Sequence, residues 1–268
     1  MSYKNLDGST ITFPQDELIH FDEATHTYTV DGAGELMPVS SVIGQFFEPF
    51  DADSISLRKC YGDKIAAAKL REEWKAHGSL AAQAGTHMHK QIEDYLNEGK
   101  APEMTCQVIF DGEYVYCKKI VDISKEWRLF KAFDLETEYH PFRTEWRVFD
   151  TDAGIAGTID LLCSRDDGTY EIYDWKRSKR VDPFEKNNYA NGINGLEHLT
   201  DTSFSHYCIQ QNLYRYILEK NYGLKISRMH LVVLHPELAK YHVFTVPKLD
   251  NEVGIIIDAI TARQIMSI

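Results

Sequence analysis

Residues 155–176 read IAGTIDLLCSRDDGTYEIYDWK, two runs with strand character joined by an Arg-Asp-Asp-Gly turn at 165–168. The first run carries Asp160, and the second carries Asp174 with Lys176 two positions later. Because strand residues two apart share a face, Asp174 and Lys176 project together while Trp175 points to the opposite side. Two adjacent antiparallel strands would therefore bring both carboxylates and the ammonium group to one point.

This combination of groups is typical of a metal-dependent phosphodiesterase. Asp160, Asp174 and the main-chain carbonyl of Trp175 offer the hard oxygen ligands that Mg²⁺ or Mn²⁺ prefers. Such an ion can lower the pKa of a bound water from 15.7 to roughly 7–9. Lys176 would orient or deprotonate that water, or neutralise charge on the phosphate. The alternative is an ordinary Asp–Lys pair on a surface hairpin, which contributes roughly 0–1 kcal/mol.

A second candidate group lies upstream on a predicted helix. Gly85-Thr86 is followed by His89, and Glu93 lies one helical turn further on. Residues four apart share one face of a helix, so the imidazole and the carboxylate would lie together. His89 could complete the coordination of the metal, with Glu93 binding it directly or through His89. The alternative is a histidine on the surface or in the core.

Four motifs in order resemble the PD-(D/E)xK nuclease superfamily, and more closely its RecB-type exonuclease branch. The branch pattern is Gly-Thr-x-x-His on a helix, Gly-x-x-Asp, (Asp/Glu)-x-Lys, and Gln-x-x-x-Tyr on a second helix. This sequence matches it with Gly85-Thr86 and His89, Gly157 and Asp160, Asp174 and Lys176, and Gln210 and Tyr214. The branch includes the mitochondrial genome maintenance exonuclease and CRISPR adaptation nucleases. The five cysteines do not fit its iron–sulfur members, so the cluster-free subgroup matches better.

The resemblance implies roles for individual residues. By this resemblance, the metal ligands are His89, Asp160 and Asp174, and Lys176 is catalytic. The residues expected to contact nucleic acid are Gln210, Tyr214, Arg177 and Lys179. Glu145 matches an acidic position on the first core strand of such nucleases and is an accessory candidate, with a solvent-facing residue as the equal alternative.

The resemblance and the order of predicted elements together predict an α/β fold. It has a restriction-endonuclease-like core, a central mixed sheet flanked by helices, plus an N-terminal, mainly helical subdomain. We expect a boundary between a hairpin and helical wrapping region at 1–78 and a nuclease core at 79–268. Helical segments are predicted at 53–77, 79–97 and 105–133, before a strand meander that begins at Phe142.

Composition limits the remaining possibilities. The chain has 268 residues, 43% hydrophobic, and a net charge of −12, which argues against a protein that coats nucleic acid. An apolar run long enough to cross a membrane is lacking, as are a signal peptide and a GxxxxGK[ST] phosphate loop. We therefore expect an intracellular, cytoplasmic protein without membrane or ATP binding; a bacterial, phage or viral context is compatible.

The resulting hypothesis is a DNA exonuclease that uses Mg²⁺ or Mn²⁺ and acts on ends or single strands in replication, recombination or repair. Protein partners from those processes are compatible with it. A structure- or sequence-specific endonuclease of the same fold is the first alternative. A nucleic-acid-binding module without catalysis is the second, although degenerate relatives usually lose a ligand or the lysine and this chain keeps both.

Overall fold

A computed structural model describes residues 3–178, 181–184 and 190–266. Its helices are α1 (Gln15–Leu18), α2 (Val39–Ile43), α3 (Ala52–Lys59), α4 (Lys64–Glu98), α5 (Ser124–Glu136), α6 (Ser203–Asn221) and α7 (Asp250–Met266). Its strands are β1 (Ile19–Asp22), β2 (Thr27–Val30), β3 (Gly34–Pro38), β4 (Thr105–Asp111), β5 (Tyr116–Asp122), β6 (His140–Asp150), β7 (Ile155–Ser164), β8 (Tyr170–Lys176), β9 (Ile226–Val233) and β10 (His242–Thr245). None of these helices combines the length and apolar composition needed to cross a bilayer.

Eight of the described strands form one mixed sheet. Its order is β1-β2-β3-β7-β8-β9-β10, with β6 on the other edge of β7. The β6, β7 and β8 meander is antiparallel, whereas β8 and β9 run parallel and are connected through α6. The predicted α/β fold with a mixed sheet flanked by helices is confirmed, and the N-terminal region adds three short strands to that sheet.

The two faces of the sheet bury separate apolar clusters. One cluster joins the sheet to α2, α6 and α7 and includes Val42, Ile209 and Ile256. The other joins it to α4 and α5 and includes Met88 and Phe130. Both clusters exclude large apolar areas from water, which is the main favourable term in folding. The sheet is therefore covered by helices on both sides, and polar groups along its middle strands are removed from solvent.

Strand β7 separates from β8 halfway along its length. β8 pairs with Leu161–Ser164, β3 pairs with Ile155 and Ala156, and residues 157–160 between them have no paired neighbour on that edge among the described residues. At the fork, the backbone N–H of Trp175 donates to Asp160 Oδ2 at 2.8 Å. The separation opens a space between the two strands at the residues that the sequence marks as catalytic.

Residues 105–122 form the β4–β5 hairpin, so the predicted helix over 105–133 is wrong for its first half. Alternate residues of the hairpin pack on α4, where Val108 lies against Leu80 and Ala84. Glu72 on α4 accepts hydrogen bonds from the backbone N–H groups of residues 113–115 at the hairpin tip. Contacts with α4 thus override the helical spacing that the sequence shows in this segment.

The helix predicted at 53–77 is divided into α3 and the first part of α4, and α4 continues through Gly78 into the helix predicted at 79–97. Helix α4 begins after Asp63, whose side chain accepts from the N–H groups of Ile65 and Ala66, and ends at Gly99 in the left-handed conformation. Gly78 lies in its interior, where a glycine costs about 1 kcal/mol relative to alanine but does not end a helix. The expected boundary between 1–78 and 79–268 therefore falls inside a continuous helix.

Candidate active site and metal centre

The central strands change face where the acidic residues lie. Ile159 packs in the cluster with α6, yet Leu161, two residues later, packs in the cluster with α4 and α5. Regular alternation would put both on one face. On the neighbouring strand β6, Glu145 adopts a φ of 43°, in the left-handed region that costs a non-glycine residue about 1–3 kcal/mol. This local strain coincides with the fork between β7 and β8.

His89 reaches the fork from α4. Its Nε2 atom is 2.8 Å from the Trp175 carbonyl oxygen. Its Nδ1 atom is 3.5 Å from Asp160 Oδ2 and 3.8 Å from Glu145 Oε1. One ligand atom from each of His89, Glu145 and Asp160 lies within 4.8 Å of the others. A helix and two strands therefore bring an imidazole, two carboxylates and a carbonyl oxygen to a single point.

The electrostatics of this group are shaped by burial and by unbalanced negative charge. Burial alone would lower the pKa of His89, but the carboxylates of Asp160 and Glu145 outweigh it and raise that pKa to about 9. Burial raises the pKa of Asp160, which His89 partly offsets and Glu145 reinforces. Burial also raises the pKa of Asp174, to about 6. The protein thus holds these carboxylates where their ionised form is disfavoured.

Lys176 is fixed beside Asp174 by neighbours on α6. Its Nζ lies 2.7 Å from Asp174 Oδ2, donates to Gln210 Oε1 at 3.2 Å, and lies 4.2 Å from the ring centre of Tyr207. Gln210 Nε2 in turn donates to the Tyr214 hydroxyl at 3.2 Å. The ammonium group therefore has a defined position at the end of β8, and a chain of hydrogen bonds connects it to the core.

Gly157 allows α6 to approach the sheet closely. A Cβ at this position would lie 2.5 Å from Cε1 of Tyr214, closer than real side chains come. The ring of Tyr214 therefore occupies the space that any larger residue at 157 would need. This contact explains the glycine of Gly-x-x-Asp. It also fixes how close α6, and with it Gln210, lies to the fork.

Comparison with known protein families agrees with this arrangement. The family model of the PD-(D/E)XK nuclease superfamily matches residues 61–264. The chain belongs to this superfamily. The pattern in its name, an acidic residue followed by (D/E)xK, is matched by Asp160 and by Asp174-Trp175-Lys176. Membership indicates a nuclease that acts on nucleic acid, and PD-(D/E)XK nucleases typically use Mg²⁺ or Mn²⁺.

Two further comparisons add little to this assignment. A search of curated proteins finds no match. Among solved structures, the crystal structure of SSO0001 is similar over 85% of this chain and 75% of that chain, at 12% identity and a TM-score of 0.35. A TM-score this low does not inform the fold or the function.

The residues at the PD-(D/E)XK fork fit a divalent ion. The carboxylates are Glu145, Asp160 and Asp174, whereas the neighbouring cationic groups are Lys176 and His89, and His89 must lose its proton to bind a metal. Asp174 is buried, and its Oδ2 contacts the ammonium group of Lys176 at 2.7 Å. Ligand atoms within 4.8 Å of one another suit ligand distances of about 2.0–2.6 Å.

The structure brings most of the predicted site residues together. His89, Asp160, Asp174, Lys176 and the Trp175 carbonyl surround the fork, and Glu145 lies beside them. We did not expect Tyr207 from the sequence. Its position three residues before Gln210, one helical turn away, is the signal that could have identified it.

Two other candidates lie differently from the expectation, and a third, Arg177, contacts a neighbouring acidic residue. Glu93 is outside the cluster, and its carboxylate accepts from Lys90 at 3.0 Å. Tyr214 is only 5% exposed, so it lies beneath Gln210 instead of on a surface that DNA could touch. Arg177 donates through Nε to Glu126 Oε1 at 2.8 Å. Lys179 lies outside the described residues.

Proposed function

We propose that this chain is a divalent-metal-dependent DNA exonuclease that hydrolyses phosphodiester bonds from ends or single strands. The observation that supports it most is the group of His89, Glu145 and Asp160, whose ligand atoms lie within 4.8 Å of one another beside the Lys176–Asp174 pair. Carboxylates with perturbed pKa values cluster at functional sites, and the pKa values of Asp160 and Asp174 are both raised here.

In this proposal each residue has a separate task. Asp160, Asp174, His89 and the Trp175 carbonyl would hold Mg²⁺ or Mn²⁺, with Glu145 as a further ligand. When bound, the ion supplies a Lewis acid for the phosphate oxygens and a more acidic water. Lys176 places a positive charge at the scissile phosphate, where negative charge increases in the transition state. Gln210 holds the ammonium group in place, and Tyr214 and Tyr207 support it from α6.

The preference for ends or single strands rests on charge and on the width of the site. The net charge of −12 opposes non-specific binding along duplex DNA. The fork is closed on both faces by α4 and α6, which contribute His89 and Gln210. A single strand enters such a space more easily than a duplex does. We place the enzyme in replication, recombination or repair, with protein partners from those processes and without ATP.

Linear and covalently closed circular DNA, each offered with Mg²⁺ or Mn²⁺, test the proposal. We expect loss of the linear DNA from its ends while the closed circle remains intact. Cleavage of the circle would reject the exonuclease and support the alternative, an endonuclease of the same fold. Binding of DNA without hydrolysis of either substrate would support a non-catalytic module. Lys176→Ala is the matched control, because it should abolish any cleavage that belongs to this site.

A further inference from the structure

A cleft with a basic lining lies between α5 and the segment that follows β9. Its volume is about 730 Å³. The residues around it are Lys125, Arg128, Leu129, Ala132, Glu136, Pro236, Leu238, Ala239, Lys240 and Tyr241. Three of them are exposed cations, and the one acid, Glu136, accepts a hydrogen bond from the Tyr241 hydroxyl at 2.8 Å. This positive surface stands out in a chain whose net charge is −12.

Both walls of the cleft begin at the catalytic strand. The segment after β9 starts at Leu234, whose N–H donates to the Lys176 carbonyl oxygen at 2.9 Å. The other wall, α5, is attached one residue further on, where Arg177 donates to Glu126 at 2.8 Å. Lys125 neighbours Glu126 at the start of α5. Both walls are therefore attached to the backbone at the end of β8, and α5 extends about 16 Å from there.

Arg177 is held against the start of α5 by a buried acidic residue, Glu126. The side chain of Glu126 is fully buried, and its second oxygen, Oε2, has no hydrogen-bond partner in the described part of the chain. A buried carboxylate with one free oxygen is costly, which favours retention of the pair for a purpose other than stability. The contact uses Nε of Arg177, and the edge formed by the two terminal nitrogens is the one that binds phosphate in a bidentate manner.

We propose that single-stranded DNA on one side of the scissile phosphate passes over Arg177 and along this cleft. Lys125, Arg128 and Lys240 bind its phosphates, and Tyr241 offers a ring on which a base can stack. Glu126 is a positioning residue that acts through Arg177. This inference rests on the proposed nuclease function, because it takes the fork beside Lys176 as the place where the strand is cut.

The inference is tested by binding to a fluorescein-labelled single-stranded oligonucleotide, measured by fluorescence anisotropy. EDTA is present to remove metal and so prevent cleavage. The triple variant Lys125→Gln, Arg128→Gln and Lys240→Gln should bind about tenfold more weakly or worse. The slope of log K, where K is the binding constant, against log salt concentration should also become shallower by roughly 2, because each single-strand phosphate contact contributes about 0.7 to that slope. The matched control, Lys4→Gln, Lys225→Gln and Lys248→Gln, removes the same charge from exposed positions away from the cleft.

The outcomes separate this inference from the proposed function. Wild-type affinity in the cleft variant would overturn the inference, and so would an equal loss in the control, because bulk charge would then explain it. Failure of the wild-type chain to cleave any DNA, combined with weak binding by the cleft variant alone, would reject the nuclease and keep the cleft as a binding surface.

Glu126 has its own test. Glu126→Gln and Arg177→Gln should raise KM for the oligonucleotide by similar factors, and the double variant should be no worse than Arg177→Gln, because both changes disrupt one contact. Additive losses in KM would contradict a positioning role. Circular dichroism and thermal melting show whether each variant folds. If Glu126→Gln does not fold, the triple variant of the exposed cleft residues still tests the inference.

Discussion

Two groups of charges, one buried around Arg143 and one partly buried around Glu145, lie two residues apart on β6 and are built in opposite ways. Around Arg143, charges and hydrogen bonds balance: NH1 donates to Asp16 Oδ2 at 2.7 Å, Nε donates to Asn5 at 2.8 Å, and the indole N–H of Trp146 donates to Asp16 Oδ1 at 2.8 Å. Around Glu145, by contrast, the carboxylates of Glu145, Asp160 and Asp174 outnumber the two neighbouring cationic groups, His89 and Lys176.

The difference teaches how to separate structural from functional charge in a protein interior. A buried charge that supports the fold needs its partners in the same chain, because desolvation is otherwise uncompensated. Excess negative charge in such a group is relieved by a proton, which the raised pKa values of Asp160 and Asp174 favour, or by a bound cation. The Arg143 cluster is complete as it stands, whereas the Glu145 cluster is suited to a cation, and we infer that this cation is a divalent metal.

The largest change in stability should come from removing a charge of the Arg143 cluster. Asp16→Ala leaves the Arg143 guanidinium buried without a counter-charge, and we expect the free energy of unfolding to fall by about 3–5 kcal/mol. Urea denaturation measures this. The double variant Asp16→Leu and Arg143→Met, which removes both charges, should lose less than Asp16→Ala alone. A small effect of Asp16→Ala would mean that water reaches Arg143 and that the two groups do not differ as described.

A divalent metal should stabilise the folded protein by binding at the Glu145 cluster. Because an ion that binds the folded chain alone raises its stability, Mn²⁺ at 100 times its Kd should add about 2.7 kcal/mol, and EDTA should remove this gain. Thermal melting with and without Mn²⁺ measures the shift. Glu145→Gln combined with Asp160→Asn should abolish it. An undiminished shift in that variant would place the ion elsewhere in the molecule.

The packing beneath the unbalanced group should tolerate little change. Gly157→Ala inserts a methyl group against the ring of Tyr214, and we expect a loss of about 1–3 kcal/mol in stability. Since Tyr214 supports Gln210 and hence Lys176, cleavage should fall by more than the loss of folded protein explains. Activity per folded molecule, with Gly168→Ala as a turn control outside the site, provides the measurement. Unchanged specific activity would show that the position of α6 does not matter.

The smallest effect has the opposite sign from the first. Asp160→Asn removes one charge from the unbalanced group and keeps an oxygen that can accept from the Trp175 N–H. Because burial and the Glu145 carboxylate already disfavour the ionised form and raise the pKa of Asp160, the metal-free variant should be more stable than wild type by up to about 1 kcal/mol. Chemical denaturation in EDTA decides this, and a marked loss would argue that Asp160 is a structural residue.

Much of the central sheet could be predicted from sequence. The alternation of residues 155–176 and the Asp166-Asp167-Gly168 turn determine two strands and the common side of Asp174 and Lys176, because side-chain direction follows from the strand backbone alone. These features depend on local geometry, and the structure has them where the pattern predicts. The role of His89, by contrast, is implied by the resemblance to the nuclease family.

Other features depend on contacts between distant segments. The β4–β5 hairpin is stabilised by contacts with α4, where Glu72 accepts hydrogen bonds from its tip and Leu80 packs against it. No local sequence pattern indicates these contacts. The left-handed φ of Glu145 is equally hidden, since a glutamate does not signal such a conformation. Glu126 resembles a solvent-facing helical residue in sequence, and only the packed structure shows it buried against Arg177.

Diffraction at the manganese absorption edge, from crystals of the whole chain grown with Mn²⁺, tests the central claim most directly. The account predicts an anomalous peak at the fork between β7 and β8, at coordination distance from Asp160, Asp174 and the Trp175 carbonyl oxygen. A fork without such a peak, in crystals that bind Mn²⁺ at another place, would contradict it.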